Sequence, residues 1–134
     1  RGTTSKQIIE MARESGASKV YFASAAPPVR HPNVYGIDMP ATSEFVANGR
    51  TIDEINDHIK SDRLFYQTLE DSVTSTHNLH SHEIKFDSSC FDGVYVTGDI
   101  SEEYLTKLHE QRNDDAKSSF EDDDQTLDIH NDSN

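Results

Sequence analysis

The spacing of apolar residues in the first part of the chain predicts a helix followed by a buried strand. Residues 5–15 carry four apolar side chains on roughly one helical face, and Gly16 follows them as a stop signal. The next stretch, Lys19–Ala25, is a short and nearly uninterrupted apolar run that ends before Pro27. Such a run is typical of a strand that is buried on both faces.

The same alternation of helical and extended spacing predicts further elements. They are a strand at Val34–Ile37, a short helix at Ser43–Asn48, a helix from Thr51 through Ile59, a strand at Arg63–Tyr66 and a short helix that begins at Leu69–Val73. Thr51 and Glu54 have the separation of a capping box, which marks the start of the second of these helices. Alternating helices and strands at this spacing indicate an α/β fold with a mainly parallel sheet.

The pattern changes near residue 75. Residues 74–83 contain almost no apolar side chain, which predicts a loop. Phe86–Thr97 has a turn at Asp92-Gly93 between aromatic residues, which predicts an irregular, hairpin-like segment. Ser101 is expected to be the N-cap of a final helix whose apolar residues share one face.

Charge narrows the range of partners. The chain has 12 basic and 25 acidic residues, a net charge of −13, which argues against nucleic acid or an anionic membrane because phosphates would be repelled. No apolar run approaches the roughly 20 residues of a transmembrane helix. Residues 113–134 hold eight of the acids against a single base and few large apolar side chains, so we predict a disordered acidic tail.

Candidate chemistry lies at the very start of the chain. Gly2, Thr3, Thr4 and Ser5 stand immediately before a predicted helix, where backbone amides lack partners and the helix dipole favours an anion. Glycine allows a close approach to a phosphate, three hydroxyls supply more donors, and Arg1 is a further ligand-facing candidate. The same residues also suit a simple helix N-cap, and the pattern alone leaves both interpretations open.

The longer context resembles a known family. The stretch RGTTSKQIIEMARESGASKVYFASAAPPVRHPNVYGIDMP, together with NGRT at 48–51, YQTLEDSV at 66–73 and FDGVYVTGD at 91–99, resembles glutamine phosphoribosylpyrophosphate amidotransferases. The resemblance implies the C-terminal part of a type I phosphoribosyltransferase domain over residues 1–75. It further implies a C-terminal extension over 76–112, followed by the acidic tail over 113–134.

The resemblance also implies an activity. This family makes 5-phosphoribosylamine from phosphoribosyl pyrophosphate and glutamine, the first committed step of purine biosynthesis, and Gly2–Ser5 would then bind the 5′-phosphate of the sugar. By the same resemblance we expect a cytoplasmic homo-oligomer, a tetramer. The alternative is a phosphoribosyltransferase-like module with a regulatory or interaction role and no catalysis.

Other parts of the family pattern do not match this chain. In the family, two aspartates that handle the ribose hydroxyls and Mg²⁺ directly precede the RGTTS turn, and an N-terminal domain releases ammonia from glutamine. The chain begins at Arg1, after both. We therefore expect a fragment of a larger enzyme that has no transferase activity by itself, with the Mg²⁺ ligands upstream.

Several members of the family hold an iron–sulfur cluster with cysteines. The matching positions here are Asn33 and Asp87, and Cys90 alone retains sulfur. Because thiolates hold such clusters, the resemblance implies the form of the enzyme without a cluster, as in eukaryotes. Cys90 itself is expected to be a partly buried small hydrophobic residue.

The remaining candidates are weaker. Asp38 follows the predicted strand at Val34–Ile37, where it would either face a ligand or stabilise the next turn. A group of three histidines, His77, His80 and His82, could bind a transition metal, but in a polar loop they are expected to be solvated. Arg30 and His31 could face an anion, with solvation in a loop the favoured interpretation.

Overall fold

The structure is a computed structural model, and it describes residues 2–79, 82 and 85–114. Its helices are α1 (Thr3–Glu14), α2 (Ile52–Ile59), α3 (Leu69–Leu79), α4 (Ser89–Asp92) and α5 (residues 102–114), with a 3₁₀ helix at Thr42–Glu44. Its strands are β1 (Tyr21–Ser24) and β2 (Arg63–Tyr66). Within the described ranges, no helix is long and apolar enough to cross a membrane.

The predicted α/β fold is confirmed by a parallel pair of strands packed against helices. β1 and β2 pair in register from Tyr21 opposite Arg63 to Ser24 opposite Tyr66. One face of the pair packs on α1 and α2, and the core consists of Ile9, Ala47, Ile55, Ile59 and Leu64. The carboxyl ends of both strands therefore lie at one edge, on the same side of the molecule.

The opposite face of the strand pair is open to solvent. Tyr21 is 61% exposed and Phe65 is 45% exposed, although both belong to apolar strands. The predicted burial of β1 on both faces is therefore wrong for the part of the chain that the structure describes. The alternation along β2, with Leu64 buried between exposed neighbours, is the pattern of a sheet covered on one side.

The capping box of α2 forms as predicted. The Thr51 hydroxyl accepts from the Glu54 N–H at 3.2 Å, and the Glu54 carboxylate accepts from the Thr51 N–H at 2.7 Å. The hydrogen bonds from Thr51 lower the pKa of the Glu54 carboxyl below its ordinary value. α2 then buries Ile55 and Ile59 against the core.

Two predictions for residues 34–48 are wrong. Val34–Ile37 is a turn instead of a strand. The side-chain oxygen of Asn33 (Oδ1) accepts the N–H groups of Tyr35 and Ile37, and these two hydrogen bonds reverse the backbone direction. The helix predicted at Ser43–Asn48 is reduced to the 3₁₀ helix, since Phe45 has an extended backbone (φ −65°, ψ 134°) and its side chain is buried. Neither feature has a signature in the periodicity of apolar residues.

The predicted loop at 74–83 is helical at its beginning, because α3 continues to Leu79. The hydroxyl groups of Ser75 and Thr76 donate to the carbonyls one turn back, at 2.6 and 2.9 Å, so a polar sequence continues the helix. The start of α3 agrees with the short helix predicted at Leu69–Val73, whereas residues 74–79 are all exposed, which explains why no apolar periodicity marked this part of the helix.

The C-terminal segment has helices where a hairpin-like segment was predicted. The turn at Asp92-Gly93 ends the short helix α4, with Gly93 at φ 74°, and the described residues of 86–97 contain no strand. α5 begins after Ser101 as predicted, since the Ser101 hydroxyl accepts the Tyr104 N–H at 3.2 Å. It continues through residue 114, so residues 113–114 are helical, while the rest of the predicted tail is outside the described ranges.

Candidate functional site

The start of α1 has an unusual backbone at Gly2. Gly2 is the N-cap residue in the left-handed conformation, with φ 72° and ψ 2°, and its carbonyl accepts the Lys6 N–H at 3.0 Å. A Cβ atom at this position would meet Val46 Cγ2 at 2.8 Å. Both the conformation and the contact with Val46 therefore require glycine.

Within the described part of the chain, the donors that follow Gly2 have no protein acceptor. Among the described residues, the backbone N–H groups and hydroxyls of Thr3, Thr4 and Ser5 have no acceptor, and the helix has no capping hydrogen bond from a side chain. The first turn of α1 also contains no acidic residue. Together with the helix dipole, these free donors form a surface that is suited to an anion.

A cavity of about 350 Å³ opens beside this helix end. Ser5 lines this cavity, together with Ser24 and Tyr66 at the carboxyl ends of β1 and β2. Further lining residues come from the connection between β1 and α2, namely Met39, Pro40 and Phe45. Burial raises the pKa of the Tyr66 phenol, and the nearby Arg30 guanidinium opposes that shift. The structure thus brings the predicted Ser5 to the strand edge where α/β folds bind ligands.

The other sequence-predicted residues lie apart from this cavity. Asp38 is exposed and lines a second cavity of about 270 Å³ together with Arg112 of α5, so it is not brought to Ser5. Arg1 lies outside the described residues. Arg30 is not solvated as expected, because its guanidinium donates to the Ala47 carbonyl at 2.6 Å and to the Arg50 carbonyl at 3.0 Å.

The three positions that correspond to cluster cysteines converge in space. Burial raises the pKa of the half-buried Cys90 thiol, a hydrogen bond with Asn33 opposes this shift, and the negative charge of Asp87 adds to it. Asn33 is 2% exposed, and its side-chain oxygen accepts two backbone N–H groups. The Asp87 carboxylate accepts the Ser89 N–H at 3.0 Å. The place is therefore filled by a hydrogen-bonded polar cluster.

The histidine prediction is only partly covered by the structure. His77 belongs to α3, His82 is exposed, and His80 falls outside the described ranges. Among the residues that are described, no three His, Cys, Asp or Glu side chains stand close enough to hold a metal ion.

Several residues of the cavity were missed by sequence reasoning. Tyr66 was located on a predicted strand, and the rule that parallel strands end at one edge could have placed it beside Ser24. Met39 and Pro40 come from a loop with no periodic signal, and Phe45 comes from a segment that was predicted to be helical, so nothing in the sequence pointed to them as cavity residues. Arg112, which donates to the Asn33 carbonyl at 3.1 Å, has a sequence separation of 79 residues and was missed as well.

Comparison with known proteins gives a consistent picture. No protein-family model matches the chain. The chain is 55% identical over 132 residues to an amidophosphoribosyltransferase of Pasteurella multocida, and 51% identical over 132 residues to that of Escherichia coli. Both matches cover 98% of the chain and 26% of the relative. The enzyme of Schizosaccharomyces pombe is 45% identical over 128 residues, with 93% of the chain and 24% of the relative covered.

The chain is similar to amidophosphoribosyltransferases over nearly its whole length. It spans about a quarter of the length of these curated relatives. Two solved structures agree. The glutamine phosphoribosylpyrophosphate amidotransferase from Bacillus subtilis, complexed with ADP and GMP, matches with a TM-score of 0.59 and 32% identity over 71% of this chain and 21% of that one. A structure described as the allosteric regulatory enzyme of purine biosynthesis matches with a TM-score of 0.63 and 32% identity. This match covers 81% of this chain and 24% of the other chain.

Proposed function

We propose that the chain is the 5′-phosphate-binding part of an amidophosphoribosyltransferase, which makes 5-phosphoribosylamine from phosphoribosyl pyrophosphate and glutamine. The observation that carries this proposal is the set of unused donors of Thr3, Thr4 and Ser5 beside a cavity at the strand edge. The similarity to enzymes of that name supports it. A non-catalytic regulatory or interaction module is less favoured, because the matched relatives are named as enzymes.

The residues of this chain would act by orientation. The amides and hydroxyls of Thr3, Thr4 and Ser5 would hold the 5′-phosphate, so that C1 of the ribose is fixed where ammonia from glutamine displaces pyrophosphate. They would transfer no proton, because an amide or a hydroxyl that donates to a phosphate only fixes its position. The helix dipole of α1 would add partial positive charge beside the phosphate.

The proposed reaction uses Mg²⁺, whose ligands we do not place among the described residues. Mg²⁺ would neutralise charge on the leaving pyrophosphate, and the described residues contain no group of three or more His, Cys, Asp or Glu side chains that could hold a metal ion. Following the family resemblance, we propose that its ligands lie in the portion of the relatives that this chain does not span. The iron–sulfur cluster is proposed to be absent, because Asn33 and Asp87 offer oxygen and nitrogen to iron and their side chains already bond backbone N–H groups.

The assembly and location of the protein are proposals based on the family resemblance. We propose a cytoplasmic homo-tetramer. Sedimentation velocity of the protein at several concentrations tests the tetramer, and a sedimentation coefficient of a monomer at all of them would refute it. Fractionation of cells tests the location, and recovery of the protein in a membrane or organelle fraction would refute it.

The test of the phosphate site is Thr4→Val in the complete protein that carries this chain. The change keeps the shape of the side chain but removes a donor to a charged acceptor, so we expect transition-state binding to weaken by about 1.5–3 kcal/mol. The measurement is kcat/KM for phosphoribosyl pyrophosphate. Hydrolysis of glutamine in the absence of the sugar substrate should be unchanged.

A matched control is Thr51→Val, since the Thr51 hydroxyl is a genuine N-cap that accepts the Glu54 N–H. This variant should lose stability, by about 1 kcal/mol, and keep its KM for phosphoribosyl pyrophosphate. If Thr4→Val behaves in the same way as Thr51→Val, then the Thr4 hydroxyl contributes only to stability and the phosphate site is refuted.

A further inference from the structure

The loop of residues 33–40 forms one wall of the cavity beside α1, and it has no regular secondary structure. Met39 and Pro40 at its end line the cavity together with Ser5. Because no helix or strand fixes this loop, its shape depends on hydrogen bonds from individual side chains. The residue that makes most of them is Asn33.

The Asn33 side chain determines the course of the loop. Its oxygen accepts the Tyr35 N–H at 2.9 Å and the Ile37 N–H at 3.0 Å, and the residue is 2% exposed. The backbone N–H of Asn33 donates to the sulfur of Met39 at 3.2 Å. One residue therefore closes the turn and also contacts a side chain of the cavity wall.

Asn33 is in turn held by the C-terminal segment, residues 86–114. Arg112 of α5 donates to the Asn33 carbonyl at 3.1 Å. Just before Asn33, the Tyr95 hydroxyl donates to the Pro32 carbonyl at 2.8 Å. The N–H groups of Arg30 and His31 donate to the Cys90 carbonyl at 2.9 and 3.1 Å. The loop is thus fastened to residues more than 55 positions later in the chain.

We propose that Asn33 is a positioning residue for the phosphate-binding site, through which the C-terminal segment holds the Met39–Pro40 wall against the helix end at Ser5. Asn33 touches neither the proposed phosphate nor the cavity and acts only through the loop. This inference rests on the function proposed for Gly2–Ser5. By this proposal, the C-terminal segment helps to fix the position of the cavity wall next to Ser5.

The test compares Asn33→Ala with Asn48→Ala in the complete protein. Asn48 is an exposed asparagine whose side chain makes no hydrogen bond to another described residue, so it serves as the matched control. In Asn33→Ala we expect KM for phosphoribosyl pyrophosphate to rise about tenfold or more, because a displacement of about 1 Å at a substrate site can cost on the order of 100-fold. In Asn33→Ala, the kcat of glutamine hydrolysis without the sugar substrate should be unchanged. In Asn48→Ala, this kcat and the KM for phosphoribosyl pyrophosphate should both be unchanged.

A second readout does not depend on activity. Hydrogen exchange of the amides of residues 34–40 should become faster in Asn33→Ala, whereas exchange in α2 should stay as it is. If Asn33→Ala does not fold, Tyr95→Phe removes one hydrogen bond to the same loop, and its KM should rise about twofold to fivefold, since a single such bond contributes about 1 kcal/mol or less.

The outcomes separate the two proposals. A wild-type protein that neither binds nor converts phosphoribosyl pyrophosphate refutes the proposed function, and the exchange measurement still decides whether Asn33 holds the loop. Faster exchange with an unchanged KM shows that the loop is held but does not position the site, which overturns the inference. Unchanged exchange in the folded variant overturns it too.

Discussion

At the scale of single residues, the start of α1 shows how one position can meet two demands. Gly2 needs a left-handed backbone, and its missing Cβ leaves room for Val46. The sequence suggested that glycine is there to let a phosphate approach, whereas the structure supplies a packing reason that holds with or without a ligand. A substitution at Gly2 is therefore expected to lower the free energy of unfolding even when no ligand is bound.

The first prediction compares Gly2→Ala with Gly49→Ala. Gly49 has a similar φ of 64°, but no atom lies within 4 Å of an added Cβ. Gly49→Ala should cost about 1–2 kcal/mol of free energy of unfolding for the left-handed conformation alone. Gly2→Ala should cost that plus about 1–3 kcal/mol for the overlap with Val46.

Chemical denaturation of both variants measures the difference. Val46→Ala in the Gly2→Ala background should recover part of the loss, because it removes the overlapping methyl group, and the two changes should be non-additive. Equal losses for Gly2→Ala and Gly49→Ala would mean that Val46 moves aside without cost.

At the scale of elements, one carboxylate joins the end of α1 to the strand pair. Asp62, just before β2, accepts the Val20 N–H at 2.7 Å and the Arg13 guanidinium at 2.8 Å. Arg13 also donates to the Lys60 carbonyl at the end of α2. The Val20 hydrogen bond is the main cause that lowers the pKa of the Asp62 carboxyl below its ordinary value of 3.8, and Arg13 adds to it.

This shift predicts a dependence of stability on pH. Because the pKa is lower in the folded state, the ionised carboxylate stabilises the fold above the ordinary value of 3.8 and loses that effect as the pH falls through the folded value. Asp62→Asn should therefore be less stable than the wild type at about pH 7, and the difference should shrink towards about pH 2.

Thermal unfolding across this pH range measures the effect. Asp99→Asn, a change at an exposed loop carboxylate, is the control and should follow the wild type at every pH. A difference between Asp62→Asn and the wild type that stays constant down to about pH 2 would show that the carboxyl group has no special role.

At the scale of the whole molecule, the C-terminal segment is attached to the body by polar contacts around Asn33 and Cys90. The Cys90 carbonyl, the Tyr95 hydroxyl and Arg112 all bond residues 30–33. The family resemblance implies that cluster cysteines would stand at the positions of Asn33 and Asp87. In this chain, hydrogen bonds join the same segments.

The corresponding prediction is that the protein contains no iron–sulfur cluster. After anaerobic purification it should be colourless, without stoichiometric iron or acid-labile sulfide, because a single thiol cannot hold the metal. A relative with cysteines at all the cluster positions, purified in parallel, is the positive control. Iron and sulfide in stoichiometric amounts would mean that the ligands are placed wrongly.

Elements with local signals could be located from the amino-acid sequence alone. Hydrophobic spacing located α1, capping residues located α2 and α5, and compact apolar runs located β1 and β2. The free donors at Gly2–Ser5 could also be anticipated, because unpaired amides follow from any helix start. These features depend on residues within a few positions of each other, so a linear pattern is sufficient to find them.

Features that depend on contacts between distant parts of the chain could be located only in the folded structure. The Asn33 side chain accepts N–H groups only two and four residues further on, but the bonds that hold this turn to the rest of the molecule come from residues about 60 to 80 positions away. Phe45 has an extended backbone and a buried side chain where a helix was predicted. The cavity wall at Met39 and the bond from Arg112 to Asn33 join residues without any periodic relation. Side-chain hydrogen bonds and burial across long separations outweigh local propensity, and their energies do not appear in the sequence pattern.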